Sequence, residues 1–128
     1  MHNSFFPWLL IFLAALFDSY ASYVVKYKFN ELGEIKFDSL SSILSYLRIL
    51  LLSPFFWSGL IFFILAPIMW FFALNRIDLS IGYPALVCFH LIFVYLMSFF
   101  LLGEEFNYFK VSGVVLLLIS ILLFYKGS

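Results

Sequence analysis

Charge is what this sequence has least of: only 11% of its 128 residues are Asp, Glu, Lys or Arg, against roughly 25% in soluble domains. The seven basic residues are offset by seven acidic ones and dispersed between apolar runs. No basic stripe exists to hold a phosphate backbone, and nucleic acid is excluded as a partner. Cysteine occurs once, as Cys88 inside an apolar run, so no intramolecular disulfide can form and no companion ligand stands at metal spacing. A small packed residue is its simplest role. Within the apolar runs there is also no pair of carboxylates, no nucleophile with a base at usable spacing and no metal cluster, so neither an enzyme nor a cofactor is expected.

What fills the space is hydrophobic: 66% of the residues, including 19 Phe. From Leu79 to Gly103, 25 consecutive residues carry no formal charge with His taken as neutral, more than the ~20 needed to cross a bilayer as a helix. The pattern predicts an all-α membrane protein in a single transmembrane domain over residues 1–128. Its four transmembrane helices are expected at about 5–26, 54–75, 81–102 and 106–125. The run beginning at Phe5 is read as a first span and not as a cleaved signal, because it lacks a basic n-region and an A-x-A-like site and carries Asp18. The charge-free part of the last span, Val111 to Tyr125, is only 15 residues long, so Lys110 is expected to snorkel or the bilayer to thin.

The long connection between the first two spans reads differently. Asn30 to Gly33 suggests a turn. Beyond it Leu40, Ile43, Leu44, Leu47 and Leu51 recur at three- and four-residue spacing, which predicts an amphipathic interfacial segment over about 37–53. Of the basic residues, Lys26, Lys28, Lys36, Arg48 and Lys110 fall on one side of the bundle and Arg76 and Lys126 on the other. That excess nominally places both termini outside the cytoplasm.

Four places break the apolar monotony. Asp18 lies in the middle of the first span with Ala14, Ala15, Ala21 and Ser22 one turn away, a narrow face on which a second helix can approach closely. A carboxylate at this depth costs roughly 2.5–3.5 kcal/mol on insertion scales and marks an ion or substrate pathway, or else a hydrogen bond to Ser19, Ser22 or a Tyr of another helix. Lys26 continues the Asp18–Ser22 stripe and can snorkel, attract an anion or reach Asp18 through water. Tyr83, Val87 and His90 share a face of the third span, where an imidazole serves as a proton carrier or as a neutral hydrogen-bonding group between helices. Finally, Pro67, Gly82 and Pro84 are expected to kink or adapt the backbone, and Gly113 and Ser120 mark a side of the last span that admits close packing.

Asp18 followed eight residues later by Lys26, the phrase Ala73-Leu74-Asn75-Arg76-Ile77-Asp78-Leu79-Ser80-Ile81-Gly82-Tyr83-Pro84, the Gly103-Glu104 turn and Lys110-Val111-Ser112-Gly113 together resemble the drug/metabolite transporter superfamily. Two of its four-helix branches compete. The small multidrug resistance branch binds protons and cationic drugs in turn on an acid of its first helix, where Asp18 stands, and Tyr83 matches a tyrosine of its chamber. Against that pattern stand Asp for Glu at position 18, Leu86 for a Trp, Cys88 and His90 for small glycines, and Ser120 for the second glycine of the dimerisation pattern. The other branch, EamA-type, includes flippase subunits for aminoarabinose linked to undecaprenyl phosphate. Gly82-Tyr83-Pro84, the long first connection and Ser53-Pro54-Phe55-Phe56-Trp57-Ser58-Gly59 favour it.

The resemblance implies a dimer in a bacterial inner membrane, formed with a second copy or a similar four-helix chain and working by alternating access. On the lipid-linked reading, the tail stays in the bilayer, the head crosses between helices, and Lys26, Arg48 and Arg76 are the phosphate partners. The first alternative is a proton-coupled exporter of small cationic molecules using Asp18, with Ser22, Tyr83 and His90 around it. The second is a membrane scaffold that transports nothing.

Overall fold

The computed structural model of the chain describes residues 5–127. Those residues form five helices: α1 (Phe5–Leu32), α2 (Leu40–Leu51), α3 (Pro54–Leu74), α4 (Leu79–Phe100) and α5 (Tyr108–Gly127). All but α2 are long and apolar enough to cross a membrane. The arrangement is all-helical with four candidate spans, in the expected order.

The helix limits differ from the expected ones for local reasons. α1 continues six residues past Lys26, and the turn expected at Asn30–Gly33 is largely its last helical turn. The apolar run ends at Lys26 but the packing does not: Tyr27 stacks edge-on against Phe55, Phe29 lies against Tyr46, and Lys28 is buried with its ammonium 3.3 Å from Glu31. Gly33 then closes the helix, at φ +86°, with its N–H donating to the Phe29 carbonyl, the left-handed cap that glycine adopts without penalty. α2 is shorter than the expected 37–53 segment because Ser39 caps it, accepting the Ser42 N–H. α5 begins at Tyr108 because Asn107 Oδ1 accepts the N–H of Lys110. α4 begins at Leu79, five residues ahead of Pro84, so the proline sits in the second turn and the helix runs through it. Pro67 likewise lies inside an uninterrupted α3. Each proline removes the donor that would have met the carbonyl four residues earlier.

α1 is the spine. α3 and α4 each pack along it and hardly touch one another, α5 packs on α4, and α2 rests on the start of α3. The chain alternates direction: the Arg76 guanidinium lies over the Phe6 ring at 4.9 Å and Trp8 meets Tyr125 edge-on at 5.3 Å. The start of α1, the α3–α4 turn and the end of α5 therefore share one end. At that end sits a core of Trp8, Leu10, Ile11, Ala73 and Ala85. The leucine stripe of α2 is uncovered, with Leu40, Leu44, Leu47 and Leu51 all exposed. The helix is tied at its middle and at its end, Tyr46 donating to the Gly33 carbonyl and Trp57 Nε1 to the Leu51 carbonyl, each at 2.6 Å.

The α1–α3 seam has two edges. One is aromatic, with Phe17 and Tyr20 against Phe62 and Tyr23 and Tyr27 against Phe55, pairs that contribute ~0.5–1.5 kcal/mol each beyond their buried area. Between the edges Gly59 is pressed onto Val24: a Cβ at residue 59 would stand 2.8 Å from both Cβ and Cγ1 of Val24. Gly59→Ala should therefore lower stability by about 1–3 kcal/mol, read by unfolding of the purified protein in mixed micelles. Adding Val24→Ala should not restore it, because the Cβ of residue 24 is itself one of the two obstructing atoms.

Candidate functional site

Four of the polar residues of α1 fall in register. Asp18, Ser22, Lys26 and Asn30 are four residues apart, and Glu34 continues the interval just past the helix. Residues four apart lie above one another on a helix, so they form a ladder, about 18 Å long from Asp18 to Asn30 at ~1.5 Å per residue.

Three cavities follow this ladder. The central one, about 460 Å³, is walled by Asp18, Ser22 and Lys26 with the apolar side chains of Val25, Phe56 and Leu60. A second, about 650 Å³, continues past the end of α1 along Lys26, Phe29, Asn30 and Glu34. A third, about 170 Å³, lies on the other side of Asp18 among Ala14, Ala66, Pro67, Trp70 and Leu86. Neighbouring cavities share walls, Asp18 and Phe63 in one case and Lys26 and Phe29 in the other. Together they trace one side-open groove. Its inner part lies between α1 and α3, with polar groups supplied by α1 and an apolar wall supplied mainly by α3, and its outer part is lined by the end of α1 and the loop that follows it.

At its inner end the ladder meets α4. Asp18 Oδ2 stands 3.3 Å from His90 Nδ1, with the carboxylate side chain 43% exposed and the imidazole 27%. Ser19, fully buried, completes the junction: its Oγ lies 2.6 Å from the Ala15 carbonyl and 3.0 Å from the same Nδ1. A hydroxyl has one proton to give. The shortest contact, to Ala15, takes it ahead of the His90 carbonyl at 3.3 Å, so towards His90 Nδ1 the serine oxygen accepts. An ionised carboxylate can only accept as well, and both neighbours thus require the proton on Nδ1, in neutral and charged imidazole alike. Nε2 has no hydrogen-bond partner among the described residues.

Of the residues singled out in the sequence, Asp18 and His90 are brought into contact, and Ser22 and Lys26 line the groove with Asp18. Ser22 reaches the Asp18 backbone carbonyl, at 3.1 Å, rather than its carboxylate. Tyr83 stands apart, exposed, its ring 6.3 Å from that of Trp70. Gly82 is buried beneath the same Trp70, whose ring a Cβ there would meet at 3.5 Å, and beside Ile77 at 3.2 Å. Pro67 lines the smallest cavity directly, whereas Pro84 does not. Lys26 and Arg48 belong to the α2 end, but Arg76 lies beside Phe6 at the other, so these three cannot converge on one phosphate. Gly113 has open space where a side chain would stand, and with Ser120 it lies on the half-covered stripe of α5 that also carries Leu117 and Phe124.

Sequence reasoning missed Ser19 as the acceptor beneath His90, and it missed the extension of the ladder to Asn30 and Glu34. The four-residue interval that links Asp18, Ser22 and Lys26 carries the second signal. Among the described residues no three His, Cys, Asp or Glu side chains are placed to hold one metal ion. In comparisons with known proteins, no family model, curated protein or solved structure matches the chain.

The two serines differ in what depends on them. Ser19→Ala should cost about 0.6–2 kcal/mol, because it strips an acceptor from a partly buried imidazole between two helices. Ser22→Ala should change stability by less than about 0.5 kcal/mol, since its hydroxyl only bonds back to its own helix at an exposed position. Denaturant unfolding of both variants in the same micelles checks the difference.

Proposed function

We propose that the chain is one subunit of a small dimeric membrane transporter that works by alternating access. On this reading it passes the polar end of an amphipathic molecule along the α1–α3 groove. The observation that carries the proposal is the ladder from Asp18 to Lys26 facing an apolar wall of α3 in a groove open along its side, continued by Asn30 and Glu34 beyond it. A polar head moving along that track exchanges one hydrogen-bonding partner for the next at intervals of ~6 Å, and the side opening lets an attached hydrocarbon tail remain among lipids. A lipid-linked sugar, such as a polyprenyl-phosphate sugar, has the matching chemistry. Its phosphate would pair with Lys26, with Arg48 at the same end, in charge-assisted contacts, while its hydroxyls donate to Asp18. The open geometry supports a dimer: α3 and α4 leave a gap, and the ladder serves only one end of the helices. The resemblance adds a bacterial inner membrane as the setting.

A second reading, a proton-coupled exporter of small cationic molecules, draws on a different observation, the mid-helix contact of Asp18 with His90. A carboxylate there can hold a proton or a cation but not both. Reconstitution of wild type, Asp18→Asn and Lys26→Gln into liposomes separates the two. On the lipid-linked reading, translocation of a polyprenyl-phosphate sugar should fall about tenfold or more in Lys26→Gln, since removing one partner of a charge-assisted contact costs roughly 1.5–3 kcal/mol. Undiminished translocation in that variant removes the phosphate role. Release of protons on adding a lipophilic cation, abolished by Asp18→Asn, would favour the exporter. If neither activity is seen and Asp18→Asn alters stability alone, the scaffold reading replaces both.

A further inference from the structure

Pro67 changes what the smallest cavity can offer. Inside α3 it supplies no N–H for the Phe63 carbonyl one turn earlier, and because helical hydrogen bonds run along the axis, that carbonyl lies on the stripe between residues 63 and 67. Phe63 and Pro67 both wall the 170 Å³ cavity. An acceptor without its helical donor therefore belongs to the α3 wall. Asp18 brings further acceptors from α1, with its carboxylate 43% exposed and met by His90 only on the side turned towards α4. No lysine or arginine lines the cavity, and beside these acceptors its walls are apolar or, at Trp70, aromatic. We propose that this cavity is the sugar subsite of the groove: one ring of a phosphate-linked sugar enters it, donates hydroxyls to Asp18 and to the Phe63 carbonyl, and lays its C–H face on Trp70.

This rests on the reading of the groove as the path of a lipid-linked sugar, and it assigns the parts of that molecule to places. At about 170 Å³ the cavity is smaller than the ~300 Å³ at which pockets for whole small molecules begin. It holds one part of a ligand. Asp18 is a wall it shares with the 460 Å³ cavity where Lys26 stands, so a head group whose phosphate pairs with Lys26 points its sugar inward past Asp18, while the tail leaves through the open side. The phosphate has no cation to meet further in. A sugar ring has the matching chemistry, with hydroxyl donors around its rim and apolar C–H groups on its faces, and sites for such molecules combine apolar and aromatic walls with a few placed polar groups. Gly82 helps to fix the aromatic wall. A Cβ there would stand 3.5 Å from Cη2 and Cζ3 of Trp70, so the indole reaches from α3 to bare backbone of α4.

The test measures binding of two probes to the full chain in nanodiscs: a polyprenyl-phosphate glucose, and a polyprenyl methyl phosphate, which is a phosphodiester of the same charge without the ring. Wild type is compared with Trp70→Leu and with Pro67→Ala, in which an N–H returns to meet the Phe63 carbonyl. Wild type is expected to bind the sugar-bearing lipid about tenfold or more tightly than the methyl ester, the range that two added hydrogen bonds supply. Each substitution should reduce that ratio by roughly two- to tenfold. Alanine is a strong helix former, so Pro67→Ala is expected to fold, and it decides the case if Trp70→Leu does not. Equal binding of the two lipids by wild type, or a preference that survives Pro67→Ala undiminished, overturns the subsite and leaves the phosphate at Lys26 standing. Binding of neither lipid removes the reading of the groove and the inference with it.

Discussion

The close approach of Gly59 to Val24 is the constraint from which most of the architecture follows. Two helices that meet with only the Val24 side chain between them at one point bring their flanks within reach, and the flanks of α1 and α3 differ. On one side large rings fill the diverging space, Phe17 and Tyr20 against Phe62, Tyr23 and Tyr27 against Phe55. On the other the residues of α1 are small or polar, Ala21, Ser22 and Asp18, and they do not fill it. The seam is closed along one edge and open along the other. The groove is therefore a consequence of side-chain size on the two flanks of one helix. A larger residue at position 59 would separate the helices and loosen both edges together.

The same economy explains why α1 can be the spine. A helix that contacts α3 and α4 at once must present two packing faces and still leave a third for polar groups. α1 does so by keeping Ala14, Ala15, Ala21 and Val24 at its buried positions, where short side chains permit both neighbours to come close. α3 and α4, splayed apart by sharing α1, leave Asp18 at the bottom of the gap. Ser19, one residue on and fully buried, faces α4 because adjacent helical residues point about 100° apart. One helical step thus assigns Asp18 to the groove and Ser19 to the helix contact, and His90 touches both.

How much of this could be read in the sequence depends on whether the information is periodic or pairwise. The four apolar runs and the α2 stripe are periodic, and they emerge in the expected order. Asp18 stood out because an isolated charge in an apolar run is costly wherever the helix packs. The end of α1 did not stand out: charge at Lys26 and Lys28 suggests water, yet Lys28 is buried, with its ammonium paired to Glu31 three residues on in the same helix; the spacing of that pair is in the sequence, but the burial is not. The contact of Asp18 with His90 is likewise a matter of helix rotation about two axes, and no local pattern contains it. Tyr83 shows the reverse error, since sharing a face with His90 on α4 did not carry it to Asp18; it stands exposed near Trp70.

Burying a carboxylate among apolar helices would be prohibitive if its hydrogen bonds were unmet, and the geometry around Asp18 shows how the cost is limited without closing the site. The side chain keeps 43% of its surface open to the groove, and on one side its Oδ2 lies 3.3 Å from the Nδ1 of an imidazole that Ser19 also contacts. An enclosed ion pair at the same depth would be held on every side, and removing one partner would leave the other stranded. Here one face of the carboxylate is satisfied from within and the other is left to whatever enters between α1 and α3. Partial satisfaction of this kind stabilises the empty protein less than a closed pair would, but it leaves a carboxyl group accessible midway along an apolar helix. A packed bundle of hydrophobic helices gains nothing in stability from that arrangement, whereas a path for polar groups requires it.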